Sequence, residues 1–382
     1  MRSPLDTVQP GQANGILSAS DARGVSTEIQ RLLDNVRSLI YIDPRTLEFL
    51  IAAKIAGGHV ILADSHGVGK TSLARALAQS IQWQGPRRGG VDGSDGEVAH
   101  VDLSVADVSV ENVPISSFSR IQCTVDLLPQ DILGFSRYEL STSSLIFNRG
   151  PIFAHFVLCD EINLLTPKTQ GSFFQAMEEQ AISIEGNTYH LPDPFFIIAT
   201  MNLKGAHLFP LPVPQLDRFM VQLSLGYPSD DDEERIVHQH GRDDSWSGFA
   251  PVVAQERLNQ WQGMVDSITI HDEVVSYLVT LVRQTRGHPA IETGASPRTG
   301  VKVSRLARAL ALVRGDNWVS VDLIKEIFVP AVAHRMIMQD PATPAAGVLQ
   351  EILDTVPVDG RRPAPRDVPE SRQPVPVSAT GG

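Results

Sequence analysis

Five short runs in the middle of the chain are largely apolar: residues 59–63, 120–124, 153–159, 195–200 and 219–225. Strands that offer so little polar surface to water predict a parallel sheet covered on both faces. Two helical patterns precede the first run, over residues 27–36 and 44–56. Asp43 is placed to cap the second, with Pro44 at its first position. Beyond Pro228 the pattern changes to successive helical segments over 230–240, 254–265, 272–286, 299–313 and 320–339. Gly287, Pro289, Gly294, Pro297 and Gly315 punctuate them. The expected architecture is therefore an α/β unit over residues 26–227 and an all-helical unit over 228–355.

Three stretches carry no such pattern. Residues 1–25, rich in Ser, Gly and Gln, read as a disordered leader, and the Pro-rich residues 356–382 read as a disordered tail. Residues 84–101, rich in glycine, read as a flexible insertion. Arg87-Arg88 within it offers a place for phosphate or a partner, although a solvated loop is the simpler reading.

Composition narrows the function. The 382 residues are 42% hydrophobic and 20% charged, enough for well-filled cores. A formal net charge of −12 argues against a protein that coats nucleic acid, which needs a basic surface. The two cysteines, Cys123 and Cys159, fall in strand-like runs and are expected to be buried thiols, not a disulfide scaffold. No run is long and apolar enough to span a bilayer, and residues 1–22 lack a secretory signal pattern. A reducing, cytoplasmic setting is the expectation.

The first apolar run leads straight into Asp64-Ser65-His66-Gly67-Val68-Gly69-Lys70-Thr71-Ser72 and then into a helical pattern. A strand, a tight loop and a helix N-terminus in that order direct free N–H groups at one point and favour an anion there. Lys70 would reach the β- and γ-phosphates of ATP, and the Thr71 hydroxyl would ligate Mg²⁺. The strict motif has glycine where this chain has Asp64. The third apolar run ends in Asp160-Glu161, at the carboxyl end of a strand, where open parallel sheets bind ligands. Asp160 would hold Mg²⁺, and Glu161 would orient and activate water.

Three more residues stand at telling positions. Asn202 follows the fourth run and would hold the attacking water or touch the γ-phosphate, unless it only caps or turns the loop. Arg218 immediately precedes the fifth run. It would stabilise charge on a transferred phosphoryl group, often from a neighbouring subunit, or else form a surface ion pair. Arg298 follows Ser296 and Pro297, a cap and first position for a helix. A cation there opposes the helix dipole, which hints at a nucleotide contact, but a solvated arginine stays equally open.

Several segments together resemble the MoxR family of AAA+ ATPases: Arg120-Ile121-Gln122-Cys123-Thr124, Asp126-Leu127-Leu128-Pro129-Gln130-Asp131-Ile132-Leu133-Gly134, Gly150-Pro151-Ile152-Phe153-Ala154, Asp160-Glu161-Ile162-Asn163, Pro167-Lys168-Thr169-Gln170, Gln175-Ala176-Met177-Glu178-Glu179, Gln215-Leu216-Asp217-Arg218-Phe219 and Gly294-Ala295-Ser296-Pro297-Arg298. The resemblance spans roughly residues 27–340. It implies a P-loop AAA+ core with a five-stranded parallel sheet, an all-helical lid and assembly into a hexameric ring. It also implies Walker A at Gly69, Lys70 and Thr71, Walker B at Asp160 and Glu161, sensor 1 at Asn202, the arginine finger at Arg218 and sensor 2 at Arg298. A helix-2 insert is expected near residues 126–148. A pre-sensor-1 hairpin is expected over 182–191, turning at Gly186-Asn187. Both would face the ring pore or a client.

The implied work is that of a chaperone that remodels or activates a client complex, often with a von Willebrand factor A-domain partner. Departures from the pattern are Asp64 at the first glycine position, His66 at the usual proline, Leu164-Leu165 for Arg-Ala, and the long glycine-rich insertion. An ATP-binding scaffold with little turnover is the alternative that Asp64 and His66 leave open. A nucleic-acid motor is a weaker one: Glu185, Gly186, Asn187 and Thr188 supply neither bases nor rings, although Tyr189 and His190 are close by.

Overall fold

The computed structural model describes residues 16–64, 68–83, 108–110, 115–140, 144–201, 209, 211–239 and 246–358. Ser65, His66, Gly67, Asn202, the 84–101 insertion, residues 1–15 of the leader and residues 359–382 of the tail lie outside the described residues.

The central sheet has five parallel strands: β1 (Val60–Leu62), β2 (Ser116–Gln122), β3 (Ala154–Asp160), β4 (Phe196–Thr200) and β5 (Val221–Leu223). Their order is β5-β1-β4-β3-β2. All residues of β1, β3 and β4 are buried, as their apolar sequences require. β2 is an edge strand and keeps exposed positions; it starts at Ser116, four residues before the apolar run. Side chains alternate between two apolar layers. Val60, Leu62, Leu158 and Ile198 face one, while Ile61, Val157, Ile197 and Ala199 face the other.

The first layer is built from α1 (Ala19–Arg37), α2 (Pro44–Ile55) and α3 (Lys70–Gln79), and it continues without a break into the C-terminal helices. α1 corrects the expected leader, because its helix already runs from Ala19. Ser18 caps it by accepting from Asp21 N at 3.1 Å, and Ala22, Val25, Ile29, Leu32 and Val36 form one buried stripe. Asp43 caps α2 as expected, accepting from Thr46 N at 2.9 Å. The second layer is covered by α5 (Pro167–Glu179), whose Phe173 and Phe174 are fully buried.

Before β3, the one-turn helix α4 (Pro129–Leu133) opens into an antiparallel pair, Gly134–Glu139 with Ser144–Arg149. Its base is closed so tightly that a Cβ on Gly134 or Gly150 would lie 2.3 Å from a backbone oxygen. The second hairpin pairs Ala181–Ile184 with Asn187–His190. Its turn is centred on Glu185-Gly186, one residue earlier than the sequence suggests. Both central residues have positive φ, 53° and 82°, which a two-residue turn of this hand requires. The rings of Tyr189 and Phe147 stack at 4.0 Å and join the two hairpins.

After α6 (Val213–Leu216) and β5 come α7 (Asp230–Gln239), α8 (Gln255–Met264), α9 (Asp272–Gly287), α10 (Pro297–Arg314), α11 (Val321–Val332) and α12 (Ala345–Thr355). The last had no counterpart among the expected segments. The helix expected over 320–339 ends at Val332 and passes through a 3-10 turn, Ala333–Arg335, into Ile337–Met338. That short strand pairs antiparallel with Ile291–Thr293, and Val253–Ala254 of the same unit pairs parallel with Ile81–Gln82 of the core. Among the described residues, no helix is long and apolar enough to cross a membrane.

Candidate nucleotide site

The phosphate loop leaves the carboxyl end of β1 and returns to helix at Lys70. Gly69 makes that return with φ 85°, a left-handed conformation that glycine takes without steric cost, and it stands at the N-cap of α3. A cleft of about 290 Å³ opens there. Asp64, Gly69, Lys70, Thr71 and Ser72 line one side. Asp160, Glu161 and Thr200 line the other, at the ends of β3 and β4, together with Arg120, Gln122 and Met201. The structure thus gathers Lys70, Thr71, Asp160 and Glu161 from two distant stretches of chain. Val68 is not among the lining residues.

The two carboxylates are held differently. Asp160 is buried; its Oδ2 lies 2.7 Å from Arg120 Nε and its Oδ1 3.4 Å from Thr200 Oγ1. Glu161 sits just past the strand at φ 58°, ψ 50°, and donates its N–H to Thr200 Oγ1 at 2.8 Å. This kink turns consecutive side chains away from the strict alternation of a strand. Arg120 also donates to Gln122 Oε1 at 2.9 Å, and Gln122 is in register with Asp160. Behind the carboxylates, the free thiols of Cys123 and Cys159 are buried with sulfurs 3.1 Å apart, and burial pushes the Cys159 thiol well up.

Asp64 faces two ways. Its carbonyl accepts from Lys70 Nζ at 3.0 Å. Its carboxylate turns toward residues 224–226, where β5 ends, accepting from Leu225 N at 2.7 Å, from Gly226 N at 3.4 Å and from the Ser224 hydroxyl. A glycine at this position would satisfy the strict motif and lose all three bonds. Asp64→Gly is therefore expected to lower stability by about 1–3 kcal/mol, the net worth of hydrogen bonds to a charged acceptor, as read by denaturant unfolding.

Arg218 and Arg298 lie outside the cleft. Arg218 Nη2 pairs with Glu178 Oε2 at 2.6 Å, and its guanidinium sits 5.8 Å from the Phe174 ring centroid. Arg298 is exposed in the first turn of α10. Ser296 occupies the N-cap with Pro297 next, but its hydroxyl meets Thr299 Oγ1 at 3.4 Å and caps no N–H. The loop before it is drawn against α9, where Ala295 N donates to Thr285 Oγ1 at 3.0 Å and Arg286 Nε donates to Ala295 O at 2.8 Å.

Known proteins match this arrangement along nearly the whole chain. Residues 104–221 match the ATPase family associated with various cellular activities (AAA), and residues 283–356 match the AAA lid domain. The YeaC protein of Bacillus subtilis (strain 168) is 35% identical over 321 residues, covering 83% of this chain and 90% of that protein. Chaperone MoxR1 of Mycobacterium tuberculosis is 29% identical over 374 residues, covering 93% and 87%. The chain belongs to the MoxR family of AAA+ ATPases. A crystal structure of a Cytophaga hutchinsonii protein, 24% identical, has the same fold with a TM-score of 0.74 over 88% of this MoxR-family chain and 97% of its own.

Membership in the AAA+ ATPases implies nucleotide binding, and the donor set suits the Mg²⁺ that usually accompanies it. Thr71 and Asp160 offer hard oxygens across one cleft. Among the described residues there is no cluster of three or more His, Cys, Asp or Glu able to cage a metal alone. Mg²⁺ suits such a site because it keeps waters and takes its other ligands from phosphates. In the sequence of this MoxR-family chain Arg120 and Gln122 stand only within a signature, and nothing beside Thr200 along the chain singles it out. The rule that ligands gather at strand carboxyl ends points to all three once it is applied to every strand.

Proposed function

We propose that this chain hydrolyses ATP with Mg²⁺ and uses the turnover to remodel or activate a client protein complex. The observation that carries the reading is the single cleft joining Lys70, Thr71, Asp160 and Glu161. Lys70 binds the β- and γ-phosphates, while Thr71 and Asp160 hold the metal ion. When bound, Mg²⁺ neutralises phosphate charge and orients the γ-phosphoryl group. Glu161 takes the proton of the attacking water, and Asn202 holds that water in place. Arg298 contacts nucleotide from the lid. Arg218, which does not line the cleft of its own subunit, serves the cleft of a neighbour in a hexameric ring.

The α/β core over 26–227 and the lid over 228–355 then enclose ATP between them, and the two hairpins face the pore or the client. A protein with a von Willebrand factor A domain is the proposed partner, and the chaperone name of the mycobacterial relative supports the role. A cytoplasmic setting is part of this proposal. A nucleic-acid motor is disfavoured: Tyr189, the ring nearest the hairpin tip, is already stacked on Phe147.

Steady-state phosphate release from Mg²⁺-ATP tests this directly. Activity per subunit should rise with protein concentration, because each site is completed by a neighbour. Absence of turnover at every concentration would favour the scaffold reading.

A further inference from the structure

Arg218 lies on a stretch of the core that the lid grips directly. It follows α6 and precedes β5, and both of its chain neighbours are held from the helical side. Arg335, only 2% exposed in the 3-10 turn after α11, places Nε 2.9 Å from Asp217 Oδ1. Its Nη2 donates to the Phe219 carbonyl, and its Nη1 to Ala331 O in its own unit. Lys302, on α10, donates its ammonium to the Asp217 carbonyl. The backbone on either side of Arg218 is thus tied to α10 and to the turn after α11, while the Arg218 side chain extends to Glu178 on α5.

Burying a full guanidinium is costly unless it is paired and hydrogen-bonded. Burial pulls Arg335 down to about 10 and Lys302 down to about 8, and Asp217 opposes both shifts. Methionine would fill the same space without that cost, so the charge serves to fix geometry. Lys302 also lies one helical turn from Arg298, on the same face of α10. One helix therefore carries both a candidate nucleotide contact and a hand on the Arg218 segment.

We infer that Arg335 is a positioning residue for Arg218: the lid of one subunit sets the guanidinium which that subunit offers to its neighbour. The inference rests on the reading of Arg218 as an arginine finger acting in trans. Lid movement at one cleft would then reach the next cleft through α10, Lys302 and Arg335.

Mixed assemblies test it. Arg335→Met should lower turnover about 100-fold, the scale of a misplaced catalytic group, with ATP affinity unchanged. A Lys70→Ala chain cannot use its own cleft but still offers Arg218. Mixed with it, Arg335→Met chains should regain turnover to the extent that Arg218→Ala chains do. Thermal unfolding identifies which variants fold, and Arg335→Met/Asp217→Asn, which removes the guanidinium together with the carboxylate it faces, carries the test if the single variant does not. Restoration of Arg218→Ala but not of the Arg335 variant would overturn the inference, as would full turnover in the Arg335 variant alone. Failure to restore Arg218→Ala would overturn the trans reading itself.

Discussion

Glu161→Gln should lower ATP hydrolysis by about 10²–10⁴-fold while ATP still binds, because it removes a general base. Glu161 reaches its left-handed backbone conformation through its own N–H, which donates to Thr200 Oγ1, so the bond that fixes it belongs to the main chain. Glutamine has the same branching and length and can adopt the same geometry. The amide cannot accept the proton of water at neutral pH. Lys70 and Thr71, on the opposite wall of the cleft, are untouched. Phosphate release and calorimetric ATP titration on one preparation check both halves of the expectation, and substantial residual turnover would defeat the assignment of Glu161. A chain arrested with ATP should also hold its partner longest. Capture of a von Willebrand factor A-domain protein by Glu161→Gln in ATP, and not without nucleotide, is the matching result for the client.

The parts of this site that were legible in the sequence are those written by neighbours along the chain. A strand followed by Gly69-Lys70-Thr71, and another ending in Asp160-Glu161, state their chemistry within a few residues. The alternation of Val60, Ile61 and Leu62 between two apolar layers follows from strand geometry alone. What was hidden depends on residues far apart. Asp64 looked like a flaw in a phosphate loop, and only the arrival of residues 224–226 shows what its carboxylate holds. Arg120 meets Asp160 because β2 pairs with β3, forty positions on. The start of α1 was misplaced because its first turns offer only Ala22 and Val25 to the core, too few to show a period locally. At the second hairpin, the Gly-Asn pair pointed to a turn, but the strand pairing moved it onto Glu185-Gly186.

Arg218→Ala should reduce turnover by about 10³–10⁵-fold, the usual worth of an arginine supplied to a phosphoryl transfer. The fold should barely register the change. The pair with Glu178 is partly exposed, at 31% and 57%, and such ion pairs contribute about 0–1 kcal/mol. A large loss of activity with an unchanged unfolding midpoint therefore separates a chemical role from a structural one. Arg218→Lys should recover little, because an ammonium keeps the charge but not the planar fork that spans two phosphate oxygens. The geometry also dictates how the defect combines with others. Arg218 is not among the residues that line the cleft of its own chain, so a subunit lacking it should keep a complete pocket and fail its neighbour instead. Arg218→Ala and Lys70→Ala chains, each inactive alone, should regain activity when mixed, since the first supplies the cleft and the second the guanidinium. Were the arginine to act within its own subunit, no mixture of the two would hydrolyse ATP.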